Sequence, residues 1–260
     1  HMAAESSSAS QAPSRQSKPL HLLCFHGHGG TAERLCNQLS ERFFSQVLQS
    51  SSSTSTSSSP GDVLEVTYRC MDGPMPEPSR RPEGRQWWRY DEGDQGDRPQ
   101  DWAEMERAAL KIAEECYNSE TPYDGVLGFS QGAEMVHTLA VLKHRDDPRF
   151  SSRAAPKFGI SLSGAVNPGH FESVGGGGPP RGLEGPRQGP DVKHRTSFPM
   201  LFIGDFFGDH WYSAERFKET MAMYADLARV EHRQAHIVPE LSPSDASLVR
   251  RFLQRFSSGS

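Results

Sequence analysis

The segment Gly128-Phe129-Ser130-Gln131-Gly132 sets a serine between two glycines, after an apolar run from Gly125 and ahead of helical spacing that begins at Gln131. A serine in a tight strand-to-helix turn carries a strained backbone, and flanking glycines let neighbouring elements approach. Such a turn lifts the Ser130 hydroxyl off a sheet edge and leaves the Gln131 backbone N–H at a helix N-terminus, facing any negative charge that develops there. A serine hydroxyl is a weak nucleophile until a neutral imidazole takes its proton, and a carboxylate must then orient the ring and stabilise its charged form. Downstream the chain offers both, in the order Ser130, Asp209, His236. That order belongs to one of the three unrelated arrangements in which such a triad occurs.

Other residues compete for these places. Asp205 lies nearer a strand end than Asp209 does. Of eleven histidines, His232 falls within a predicted strand, whereas His236 stands at its exit before Ile237-Val238-Pro239. A second oxyanion donor is expected from His26-Gly27-His28-Gly29-Gly30, where glycines allow a backbone N–H close to a carbonyl oxygen. The backbone of His28 is the first choice and Gly29 the alternative. His26 reads as a structural residue that holds this turn through its ring nitrogens, and Glu134 as a solvated or pocket-rim acid. Trp87, Trp88, Phe206, Phe207 and Trp211 are apolar candidates for an acyl pocket, each also fitting plain core.

These residues need elements to carry them. Apolar and β-branched runs predict strands over 20–25, 63–68, 122–129, 157–164, 198–204 and 229–235. Apolar spacing of three and four predicts helices over 32–49, 101–117, 131–143, 213–227 and 242–256, the second with Asp101 and Glu104 placed as a capping box. Strands alternating with helices predict a mostly parallel, doubly wound α/β sheet flanked by helices in a single domain. The His26–Gly30 turn, Ser130, Asp209 and His236 then share its carboxyl edge, where such sheets bind ligands. The long Pro- and Arg-rich loop 71–99, with Trp87-Trp88, is either a lid or pocket wall or a satellite cluster on the core. Residues 1–18, which open on a His-Met cloning remnant, predict a disordered tail. The domain spans 19–257, with flexible insertions at the Ser/Thr tract 50–61 and the Gly/Pro-rich 172–195.

Composition narrows the rest. A net charge of −5 and a pI near 6.1 with scattered basic residues leave no footprint for nucleic acid. No apolar run reaches the roughly 18 residues of a membrane span, and the N-terminal region has no signal-like apolar core. The four cysteines, Cys24, Cys36, Cys70 and Cys116, are widely separated, so buried free thiols in a reducing, cytoplasmic setting are expected, without disulfide or metal site.

On these residues the chain resembles the serine hydrolase family of the fungal FSH and ovarian-cancer-associated hydrolase type, within the α/β-hydrolase superfamily. The likeness covers most of residues 20–256. It rests on Leu23 to Gly29, on Tyr68 through Asp72-Gly73-Pro74, on Trp87-Trp88, on Tyr123 to Ala133, on Ile160 to Gly164 and on His236 to Pro239. The resemblance implies a Ser-Asp-His triad at Ser130, Asp209 and His236, acting without cofactor as a carboxylesterase or thioesterase on small-molecule acyl esters. The segment after the acid aligns only if Asp209 is the match. Two departures stand out: Asp209 lies five residues after Gly204, two more than the family spacing, and Ala235 stands where the family has glycine before the histidine. A ligand-binding protein on the same scaffold is the competing class, separable by labelling of Ser130.

Overall fold

The computed structural model describes residues 18–49, 64–89, 102–120, 122–144, 156–166 and 195–257. Along the chain, β1 (Leu20–Phe25) leads to α1 (Ala32–Gln38), which runs through a π-helical stretch at Leu39–Phe44 into α2 (Ser45–Gln49). Then come β2 (Val66–Met71), the short strands β3 (Met75–Pro76) and β4 (Arg85–Gln86), and α3 (Trp102–Asn118). The second half holds β5 (Gly125–Phe129), α4 (Gln131–His144), β6 (Phe158–Leu162), β7 (Met200–Gly204), α5 (Ala214–Ala222), β8 (Leu227–Glu231) and α6 (Pro243–Ser257).

Six strands pair in the order β2-β1-β5-β6-β7-β8, every neighbour parallel. A parallel sheet is covered on both faces, so its strands are apolar on both. Leu23, Phe25, Val126, Met200 and Phe202 pack with residues of α3, α4 and α5 on one face. Leu22, Cys24, Leu127, Ile160, Leu201 and Ile203 pack with residues of α1 and α6 on the other. The order reverses between β1 and β5: the chain steps from β1 outward to β2, then from β5 outward the other way to β8. Loops leaving the carboxyl ends of β1 and β5 therefore diverge, and the crevice between them is where a doubly wound sheet places its ligand.

The predicted elements are present with shifted edges. β2 begins at Val66, three residues later than expected, because its register is set by pairing Leu20↔Val66 through Phe25↔Met71 on β1. The last strand ends at Glu231, which leaves His232 to His236 in a loop. α5 stops at Ala222, and Tyr224 instead bridges to Thr196. In the aromatic loop, β3 and β4 form an antiparallel pair, and Trp87 and Trp88 are buried in the main core cluster itself, not in a separate satellite on its surface. Lys18 N–H donates to the Ser257 carbonyl at 2.7 Å, so the two ends of the described fold meet. The expected tail and both expected insertions lie outside the described residues, apart from Lys18 and Arg195. No helix among the described residues is long and apolar enough to cross a membrane.

The cysteine reading is corrected for two positions. Cys36 on α1 and Cys70 on β2 form a disulfide with Cα atoms 6.0 Å apart. Nothing in their 34-residue separation signals pairing; packing of α1 beside β2 brings them together. Cys24 and Cys116 are free and buried, and burial raises both thiols, Cys116 to about 12.

Candidate active site

Ser130 follows β5 with φ 55°, a left-handed conformation that strains any residue with a Cβ. Its N–H donates to the Leu162 carbonyl of β6 at 2.9 Å, and its carbonyl accepts from the N–H groups of Ala133 and Glu134 as α4 begins. The flanking glycines are required by contact: a Cβ on Gly128 would lie 2.0 Å from the Gly132 oxygen, and one on Gly132 2.1 Å from the Phe25 oxygen. The turn is therefore pressed against the end of β1.

Asp209 and His236 come from the loops after β7 and β8 and meet the serine. His236 Nδ1 lies 2.8 Å from Asp209 Oδ2, and His236 Nε2 lies 2.8 Å from Ser130 Oγ. The Asp209 side chain is fully buried, and its Oδ1 accepts from the N–H groups of Trp211 (2.8 Å) and Tyr212 (3.2 Å). With Oδ1 occupied by the backbone, Oδ2 is held toward the ring, which fixes the proton on Nδ1 and turns Nε2 to the serine as acceptor. The imidazole sits among rings, with centroids of Phe129 at 5.2 Å, Tyr212 at 5.8 Å and Trp211 at 6.1 Å.

The competing candidates fall elsewhere. Asp205 makes no bond to the imidazole; its oxygens accept backbone N–H groups of Gly208 and Ala235. His232 is buried and its Nδ1 accepts from the Gln234 N–H at 3.2 Å; burial lowers its pKa, with the charges of Asp205 and Asp209 opposing.

The turn after β1 packs directly on Ser130, since a Cβ on Gly27 would come within 2.9 Å of Ser130 Cβ. His26 is buried and uses both ring nitrogens: Nδ1 lies 2.7 Å from the Gly27 carbonyl, and Nε2 accepts from the Gly73 N–H at 2.9 Å. This pairing requires the neutral Nδ1–H form, and burial lowers the pKa accordingly. Of the two oxyanion candidates on this turn, Gly29 commits its N–H to the Arg85 carbonyl at 2.9 Å. The His28 ring faces Glu77 at 3.6 Å. Gln131 opens α4 directly after the serine.

Of the five apolar candidates, Trp87, Trp88 and Phe206 are buried core, whereas Phe207 and Trp211 are 71% and 48% exposed. Arg80 lies over the Trp211 ring at 5.0 Å and Arg233 over Phe207 at 5.6 Å. Glu134 is corrected: it is buried, not solvated, and Oε1 accepts from the Tyr212 hydroxyl at 2.5 Å. The Gln131 side chain has a role beyond its backbone, accepting from the Trp87 N–H and donating to the Trp88 carbonyl, both at 3.0 Å. Both partnerships join residues distant in sequence, and neither motif nor spacing signals them. No cluster of three or more His, Cys, Asp or Glu among the described residues could hold a metal ion.

A family model described as "Serine hydrolase (FSH1)" matches residues 16–247. The chain belongs to this family. Among relatives of this FSH1-type serine hydrolase, "Esterase OVCA2" of Bos taurus is 28% identical over 195 residues, covering 71% of this chain and 73% of that protein. Solved structures share the fold at low identity. Zea mays acyl-protein thioesterase 2 superposes with a TM-score of 0.58 at 14% identity, covering 94% of this chain and 96% of the other. A Bacillus cereus carboxylesterase gives 0.52 at 15% identity, covering 94% and 92%. The FSH1-type chain thus has the mostly parallel, doubly wound sheet expected from its alternating elements, and the α/β-hydrolase fold that the resemblance implies.

Proposed function

We propose that the protein is a carboxylesterase that cleaves small to medium acyl esters through an acyl-enzyme on Ser130. The observation that carries this reading is the continuous relay from Ser130 Oγ to His236 Nε2 and from His236 Nδ1 to Asp209 Oδ2, 2.8 Å at each step. In this reaction His236 takes the Ser130 proton as Oγ attacks the ester carbonyl, and buried Asp209 stabilises the imidazolium. The tetrahedral oxyanion is met by the backbone N–H groups of Gln131 and His28. His236 then returns the proton to the departing alkoxide, the acyl group stays on Ser130, and water activated by the same imidazole releases it. Preorganised donors of this kind are worth about 2.7–4 kcal/mol each in the transition state. Trp211 and Phe207, exposed beside the acid, are the aromatic surface a substrate chain meets first.

Ser130→Ala should abolish turnover of p-nitrophenyl acyl esters while thermal stability is retained; a variant that keeps the parent's rate refutes the reading. Fluorophosphonate labelling of Ser130 in the folded protein separates an enzyme from a binding protein on the same scaffold. Thioester cleavage needs the same relay, and a paired series of oxygen and sulfur esters of matched acyl length distinguishes the two.

A further inference from the structure

Asp205 and Ala235 lie outside the relay, yet each precedes a member of it in the same loop. Asp205 is the first residue after β7 and is 4% exposed. One carboxylate oxygen accepts from the Gly208 N–H at 2.7 Å, immediately before Asp209. The other accepts from the Ala235 N–H at 3.0 Å, immediately before His236. Its own carbonyl accepts from the Asp209 N–H at 3.0 Å. One side chain therefore ties together the two loops that bring acid and base to the serine. The turn has closed tightly on it, since a Cβ on Gly208 would lie 2.6 Å from Asp205 Oδ2.

Ala235 makes the second half of the argument. Its φ is 55°, a left-handed conformation in which an alanine Cβ is strained and a glycine is not. The conformation aims the Ala235 N–H at Asp205 and sends His236 back toward Ser130. A residue stays in such a region only where its surroundings hold it there; the Ala235 N–H is held by Asp205, and its carbonyl accepts from the Ile237 N–H at 3.2 Å. Burial works against ionisation of Asp205, but the backbone N–H groups of Ala235, Gly208 and Phe207 outweigh it and hold the carboxyl below its usual range. An ionised group accepting at both oxygens suits this role, because a neutral amide has one acceptor and would turn a donor against the other N–H.

We propose that Asp205 is a positioning residue that fixes Asp209 and His236 in common register, and that its bond to the Ala235 N–H holds the left-handed backbone ahead of the base. The inference rests on the reading of Ser130, His236 and Asp209 as the reacting relay.

The test compares Asp205→Asn, Ala235→Gly, the double variant and Ser130→Ala on a p-nitrophenyl acyl ester, alongside the rate of fluorophosphonate labelling and the melting temperature. Misplacement of a reacting group by about 1 Å can cost on the order of a hundredfold, so Asp205→Asn should lose about tenfold to a hundredfold in kcat. KM should stay within about twofold, and labelling should slow in step with kcat, because the substrate surface is untouched while the base is displaced. Ala235→Gly alone should remain near the parent, and in the Asp205→Asn background it should recover part of the lost kcat, since glycine adopts this φ unaided. Should Asp205→Asn not fold, Gly208→Ala carries the same expectation, because it keeps the carboxylate but occupies its place. A folded Asp205→Asn or Gly208→Ala with the parent's kcat and labelling rate overturns the proposal, as does a double variant no faster than Asp205→Asn. If Ser130→Ala is inactive in that experiment, the relay reading stands and positioning alone has failed. If Ser130→Ala turns over at the parent's rate, the relay reading falls and positioning falls with it.

Discussion

Tyr212 touches three parts of the site at once. Its N–H donates to Asp209, its hydroxyl donates to Glu134 on α4, and its ring lies beside His236. It thus fastens the acid loop to the helix that carries the serine. Tyr212→Phe keeps the ring and the backbone bond and removes only the hydroxyl, and a hydrogen bond of this kind contributes about 0.5–1.5 kcal/mol. The expected outcome is a loss of that size in urea unfolding, with fluorophosphonate labelling retained; an unchanged midpoint would show that the hydroxyl bond adds no stability. Ser130 and His236 stood out as candidates because each follows a run with strand character, whereas position favours Asp205 over Asp209 and only the family alignment pointed to Asp209. The solvated reading of Glu134 fails because a single charged residue one turn beyond the serine carries no sign of its burial. Glu134 is in fact on a helix buried from Gln131 to Leu142, with a partner 78 residues away. The left-handed backbone at Ala235 has no signature at all, since alanine is not a residue that seeks it.

At the scale of elements, the aromatic loop shows how a segment without a periodic pattern is held. The β3–β4 pair is joined to the turn after β1 by the Gly30–Arg85 bridge, and Trp87 Nε1 donates to the His26 carbonyl at 2.8 Å. The Gln131 amide then pairs with the backbone on both sides of Trp87-Trp88. Gln131→Leu would leave a buried N–H and a buried carbonyl without this partner, at about 1–3 kcal/mol each. We expect a lower melting temperature and faster tryptic cleavage after Arg80, Arg85 or Arg89, and equal cleavage rates in parent and variant would show that the clamp is not needed. One-sided helices were legible because burial imposes a period on them, and central strands because burial on both faces makes them short continuous apolar runs. β2 starts three residues later than expected because its register comes from pairing with β1, not from its own composition, although its exposure alternates from Val66 to Cys70. The aromatic pair could be seen as an anchor, but the side chain that anchors it belongs to another motif.

At the scale of the molecule, stability is tied to pH through buried neutral histidines. His137 on α4 is fully buried, with Nδ1 2.6 Å from the Tyr224 hydroxyl and Nε2 3.1 Å from the Ser161 hydroxyl, and burial lowers its pKa to about 3. His26 and His232 are lowered in the same direction, also by burial first. A folded pKa below the unfolded value near 6.5 means that the unfolded chain binds more protons below that pH. The stabilisation is complete above the unfolded pKa and is lost as pH falls from there toward the folded value. Each such histidine can contribute a slope of up to about 1.4 kcal/mol per pH unit. His137→Gln, which cannot titrate, should flatten the fall in unfolding free energy between pH 6.5 and 5 relative to the parent, as read from urea titrations at each pH; parallel curves would remove His137 from the account. The chain order of strands and the sheet class were legible because they follow from alternation, whereas the Cys36–Cys70 pairing depends on packing alone.

That disulfide, with the meeting of Lys18 and Ser257, gives the fold a topology close to a closed circuit with a covalent shortcut. If a short linker joined Ser257 to Lys18 and the chain were opened between Cys36 and Cys70, β1 and β2 would remain covalently connected through sulfur. The path through Ser130, Asp209 and His236 would stay unbroken. The protein can therefore be recut into a circular permutant whose new ends lie on the far side of a bond that already holds them together.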